Sequence, residues 1–130
     1  MTRLLLDTHI AVAVVHRDVA RYGRPIETLL RLPENDRFVS AASMWEIAIK
    51  HRLGKLALQL PLGRLPSYLE SLGVELLDVD HRHAIEELRE VPATRDPFDR
   101  LLLAQCQVEN LRLVTVDTVL SAHPLAWRAP

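Results

Sequence analysis

A chain of 130 residues is the size of one ordinary domain, and area scaling buries about two thirds of its unfolded surface. With 48% hydrophobic residues it is too apolar to stay disordered, and its single Cys excludes a disulfide framework and a Cys-based zinc site within one chain. A net charge of −1 excludes bulk attraction to nucleic acid, so any such binding must use a local patch.

One domain over residues 1–130 is expected. The lone Cys fits a reducing cytoplasm. The opening MTRLLLDTHIAVAVV superficially mimics a signal peptide. Asp7 and His9 interrupt its apolar run, and no small-residue cleavage signal follows. The clean stretch 10–15 is well short of a membrane span, so no membrane partner is expected. Lys occurs only at Lys50 and Lys55, so Arg makes up the rest of the 16 basic residues. Arg suits bidentate phosphate contacts, but a genome bias gives the same excess.

The pattern predicts a buried strand over 4–6, ended by Asp7, and a helix over 8–21, stopped by Gly23 and Pro25. A second helix is expected over 25–32, with Pro in its first turn. A strand over 37–40 precedes a helix over 43–53, closed by Gly54. Residues 56–66 read as a Leu- and Pro-rich loop; its leucines suit either an interface or ordinary loop packing. A short helix over 66–72 ends at Gly73, a strand covers 74–79, and a helix 81–90. After a loop over 91–95 comes a helix over 96–110, with Asp96 as N-cap and Pro97 at the first helical position. A strand over 112–116, a short helix over 118–122 and a last strand near 125–127 complete the chain. This alternation argues for an α/β sandwich with a mainly parallel sheet.

Four acids occupy related places. Asp7 follows the strand LLLD and Asp117 the strand LVTVD, and sites in open α/β sheets form beyond the carboxyl ends of strands. Glu46 and Asp99 are expected in the first turns of their helices. Each alone suits a cap: Ser43 and Glu46 match S-x-x-E, and Asp96 and Asp99 suit a helix dipole. Asp99, however, shares a helical stripe with Leu102, Leu103 and Cys106, and an unpaired buried carboxylate is costly. Glu46 likewise sits in a largely apolar helix. A hard cation bound among these carboxylates explains them together.

LLLDTH, SAASMWEIAIKHRLGKL, DPFDRLLLAQ and LVTVD, in this order and spacing, resemble the PIN domain, and most of all the VapC-type toxins of bacterial toxin–antitoxin pairs. The resemblance implies a three-layer α/β/α domain whose clustered acids bind Mg²⁺ or Mn²⁺ and cleave RNA. Its acidic positions fall on Asp7, Glu46, Asp99 and Asp117, with Asp96 a further, peripheral acid; Thr115 matches a hydroxyl residue two before the last acid. Asp7 and Asp99 are expected as direct metal ligands, with Glu46 and Asp117 either binding through water or orienting the attacking water. The resemblance also implies a cognate antitoxin, whose tail crosses the site, and a homodimer. Relatives often carry Trp where Ala13 stands, and the end, HPLAWRAP, matches only loosely.

Lys50 and Arg100 are candidate phosphate contacts, as is Thr115 for the substrate; Lys50 can equally pair with Glu46 one turn back. The histidines show no H-E-x-x-H spacing, and Cys106 on a core stripe does not suit a nucleophile. The competing reading is a catalytically silent PIN-like binding module, which the presence of all four acids opposes. A phosphatase is disfavoured because DTH lacks a second acid at D-x-D spacing.

Overall fold

The computed structural model describes residues 1–130. Four strands, β1 (Arg3–Leu6), β2 (Asp36–Ser40), β3 (Glu75–Leu77) and β4 (Arg112–Val114), form one sheet in the order β3-β2-β1-β4. Every pairing is parallel. The helices are α1 (Thr8–Val15), α2 (Arg24–Arg31), α3 (Ala41–Arg52), α4 (Leu65–Ser71), α5 (His81–Ala84) and α6 (Pro97–Glu109). The expected last strand is a single bridge from Ala126 to Leu113.

The side-chain alternation of β1 divides the interior. Leu4 and Leu6 join the larger core with Ile10 of α1, Leu29 of α2, Ile47 of α3 and Leu69 of α4. Leu5 points the other way, into a core built on Leu102, Leu103 and Cys106 of α6. All three leucines are fully buried. The result is the expected three-layer α/β/α arrangement, with a run of apolar residues where a strand is covered on both faces. No helix is long and apolar enough to cross a membrane.

Sheet order fixes where a site can form. The chain leaves β1 for β2 and then β3 on one side, and returns to β4 on the other. The carboxyl ends of β1 and β4 therefore flank a topological switch point, where neighbouring connections diverge and leave a crevice.

Several expected elements are shorter. The first helix stops at Val15 instead of 21, because Arg17 adopts a left-handed conformation at φ 56°. The Arg17 and Asp18 N–H groups donate back to Val14 and Ala13, the pattern of a Schellman ending. No glycine announces it. A 3₁₀ turn, Val19–Tyr22, fills the remainder. The helix expected over 81–90 is a single turn, capped by Asp80. Gln107 of α6 takes the hydrogen bonds of the following segment, accepting from the Arg89 N–H and donating to the Glu87 carbonyl. Strands β3 and β4 are trimmed to three residues each. By contrast, α6 has the expected Asp96 cap and Pro97 start, and ends at Asn110 in a left-handed conformation. In the loop before α4, Leu56, Leu58, Leu60 and Leu62 pack against the larger core. Their apolar surface is partly covered within the chain, as the loop-packing alternative expects.

Arg17→Gly is expected to raise stability by up to about 1 kcal/mol, because glycine takes φ above zero without a Cβ penalty. Urea denaturation checks this; a loss of stability contradicts the helix ending described.

Candidate active site

Asp7 is the first residue past β1 and the N-cap of α1. Its Oδ1 accepts from the Thr8 N–H at 2.7 Å, and its Oδ2 accepts from the Thr115 hydroxyl at 2.7 Å. It is only 6% exposed. Burial pushes its pKa up, and the Glu46 charge adds to the rise; the Thr115 and Thr8 hydrogen bonds and nearby His9 oppose it.

Glu46 lies in the second turn of α3, not the first. The N-cap is Ser40, whose hydroxyl accepts from the Ala42 N–H, so the expected Ser43–Glu46 capping box does not form. Ser43 is buried instead, 3.1 Å from the Thr8 hydroxyl, and Thr8 in turn donates to Glu46 Oε1 at 2.7 Å. The other Glu46 oxygen meets Lys50 Nζ at 2.7 Å. The capping alternative for Glu46 is thereby removed, and a hydroxyl tether to the first acid's own helix replaces it.

Asp99 sits in the first turn of α6 and accepts from the Thr94 hydroxyl at 3.1 Å. Its pKa is pushed up to about 6, chiefly by burial, then by the negative charges of Asp96, Asp7 and Asp117; the Thr94 bond opposes this. Asp7 and Asp117 are thus near enough to Asp99, despite their separation in sequence, for their charges to add to its rise. Asp117 follows β4. Its N–H donates to the Thr115 hydroxyl, and its Oδ1 accepts from the Val119 and Leu120 N–H groups. Asp96 stands apart as the cap of α6.

Among the candidate substrate contacts, Thr115 is buried with its hydroxyl shared between Asp7 and the Asp117 N–H. It orients acids. Lys50 is held on Glu46, and exposed Arg100 donates from Nε to the Thr94 carbonyl at 3.0 Å. The reading of the sequence alone missed Thr8, Ser43 and Thr94 as site residues. Thr8 had a signal, since it adjoins Asp7 in DTH; Thr94 had a local one too, since it lies two residues before the Asp96 cap, accepts from the Asp96 N–H and reaches Asp99 five residues on.

The donor set suits a hard divalent cation. It is all oxygen, and no ion pair reaches Asp7, Asp99 or Asp117; Lys50 on Glu46 is the one cation paired within the group. A different trio, Asp80, His83 and Glu109, brings its ligand atoms within 4.8 Å of one another. That trio is already compensated. Arg82 bridges Asp80 and Glu109 at 2.9 Å each, and lowers the Asp80 pKa to about 2. Buried His83 accepts from the Asp80 N–H and meets Glu109 at 2.7 Å through Nε2. Cys106 is buried, and burial pushes its thiol up, so no thiolate is on offer.

The raised Asp99 pKa has a stability consequence. The native state holds a proton on Asp99 that the unfolded chain releases near pH 4, so this contribution is full below pH 4 and is lost as pH rises through about 6. In chelator, Asp99→Asn is expected to be more stable than the parent at pH 7, with the advantage shrinking toward pH 4. Thermal melts across that range check it. A variant less stable at pH 7 means that Asp99 serves only its helix.

The PIN domain family model matches residues 4–124. Over 50 residues the chain is 46% identical to Ribonuclease VapC16 of Mycobacterium tuberculosis, a match spanning 38% of this chain and 36% of that protein. The crystal structure of VapBC2 from Rickettsia felis bound to a DNA fragment from their promoter is similar with a TM-score of 0.59. It covers 96% of both chains at 16% identity, a likeness of fold. With four acids gathered at the β1–β4 crevice of a parallel sheet and a family match across nearly its whole length, this chain belongs to the PIN domain family.

Proposed function

We propose that the protein is a metal-dependent endoribonuclease and the toxin of a toxin–antitoxin pair. The observation that carries this reading is the convergence of Asp7, Asp99 and Asp117 without a cationic partner at the switch point of a PIN fold. The partial match to Ribonuclease VapC16 supports the substrate class.

Asp7 and Asp99 would hold Mg²⁺ or Mn²⁺ directly, with Glu46 and Asp117 contacting its water shell. Mg²⁺ takes few carboxylates and keeps several waters, so four acids suffice for one firm site. A bound divalent ion supplies a water of lowered pKa and neutralises charge developing on the phosphate. The chain's own part is positioning. Thr115 aims one Asp7 oxygen, Thr8 and Lys50 fix both oxygens of Glu46, and Thr94 restrains Asp99. Glu46, thus fixed, would orient the attacking water. Lys50 and Arg100 would meet phosphate oxygens as RNA enters, Lys50 by exchanging its Glu46 contact and Arg100 through its remaining guanidinium N–H groups.

An antitoxin partner is proposed from the fold-level likeness to a VapBC2 complex, with exposed Val116 and Val119 beside Asp117 as apolar contacts. A homodimer and a cytoplasmic location belong to the same reading.

Asp7→Asn tests it. The amide keeps the acceptor that caps α1 but loses the charge a cation needs. The variant is expected to melt close to the parent and to lose Mg²⁺-dependent RNA cleavage; near-parental cleavage would sink the assignment. Mg²⁺ itself is expected to raise the parent's melting temperature, because binding to the native state alone adds about 2.7 kcal/mol at a hundredfold excess over Kd. Asp7→Asn should lack that rise. Equal shifts in both proteins place the ion elsewhere.

A further inference from the structure

Trp45 is 63% exposed, although it adjoins Glu46 on α3. Its indole is held. The Phe98 ring meets it edge-to-face, with centroids 5.6 Å apart and planes at 61°. Phe98 packs against the smaller core and directly precedes Asp99. The aromatic pair therefore ties together the two helices that carry Glu46 and Asp99, each ring one residue from an acid in sequence. An edge-to-face contact fixes the orientation of the indole while leaving most of its surface to solvent.

We propose that Trp45 is a stacking platform for a nucleobase next to the scissile phosphate of single-stranded RNA, with Phe98 as its positioning residue. The proposal rests on the ribonuclease reading and adds where the base goes. The acids and their cation can only address a phosphate; nothing in them holds a base. An indole beside them offers a flat π-surface, with two χ angles to immobilise and one partner already restraining them. Lys50, 40% exposed and one turn beyond Glu46, places positive charge on the same helix for the backbone of the same strand. Because every base has a π-face, this contact tolerates sequence and favours unpaired RNA.

Trp45 also begins a stripe with Ile49 and Leu53 at four-residue spacing, so a second copy of the chain is the competing occupant. RNA is favoured because Phe98, the neighbour of Asp99, already holds the ring, and because half-buried Ile49 interrupts the stripe between its two exposed ends, Trp45 and Leu53.

The test uses the full chain carrying Trp127→Phe, so that Trp45 is the only indole. In chelator, which prevents cleavage, poly(A) is expected to quench Trp45 fluorescence, and an abasic ribose–phosphate oligonucleotide of equal length is not. With Mg²⁺, Trp45→Ala is expected to raise KM for RNA cleavage by about 5- to 100-fold, and Trp45→Phe by much less. Far-UV circular dichroism verifies that each variant is folded, and light scattering gives its mass. Equal quenching by the abasic strand, or a parental KM in Trp45→Ala, overturns the proposal. So does a fall from dimer to monomer in Trp45→Ala whose lost activity returns at high protein concentration, since that assigns the ring to a second copy. If the parent cleaves no RNA, the ribonuclease reading fails by itself, and the two fluorescence arms still decide whether a base stacks.

Discussion

The structure depends on holding like charges together. Asp7, Glu46, Asp99 and Asp117 come from four separate stretches of chain; burial chiefly raises the pKa values of Asp7 and Asp99, and neighbouring negative charges add to the rise. A hydroxyl group restrains three of them: Thr115 on Asp7, Thr8 on Glu46 and Thr94 on Asp99. Asp117 is held by backbone N–H groups. A hydroxyl can orient a carboxylate without cancelling its charge. An Arg neutralises its partners, as Arg82 does between Asp80 and Glu109; of the four acids only Glu46 carries a cation, Lys50. That contrast separates the tightest cluster of ligand-type side chains in the molecule, an ion-pair network, from the looser acid group, in which Asp7, Asp99 and Asp117 have no ion-pair partner.

The fold provides the rigid frame for this arrangement. β1 is hydrogen-bonded on both sides and covered on both faces, so Asp7 leaves a fixed strand end. Its own N–H donates to the Val114 carbonyl at 2.9 Å, which sets the first acid against β4 and Thr115. Helices α3 and α6 then bring Glu46 and Asp99 to the crevice, with Trp45 and Phe98 in contact between them. The interior supplies placement, and the charge is left for the ligand.

Much of this was legible from residues alone. The strand LLLD, the Asp96–Pro97 start of α6 and the stripe from Asp99 to Cys106 carry local signals that the structure reproduces, because caps, proline and helical periodicity act within a few residues. What escaped was decided by distant partners. α1 ends at Arg17 in a conformation usually given to glycine. The helix expected over 81–90 yields to Gln107, a residue on α6. The S-x-x-E match at Ser43 was a false capping signal, since Ser43 turns inward to Thr8. His83 shows no ligand spacing in sequence, yet tertiary placement sets it on Glu109. Thr94 is different: its hydroxyl accepts from the Asp96 N–H and reaches Asp99 five residues on, a local arrangement at the start of α6.

The central claim is that the uncompensated acids, and not the tighter trio, form the cation site. Crystals grown with Mn²⁺ and measured at the manganese absorption edge test it most directly. An anomalous peak coordinated by Asp7 and Asp99 is the expected result. A peak at Asp80, His83 and Glu109, or none at any carboxylate with Mn²⁺ in large excess, would contradict it.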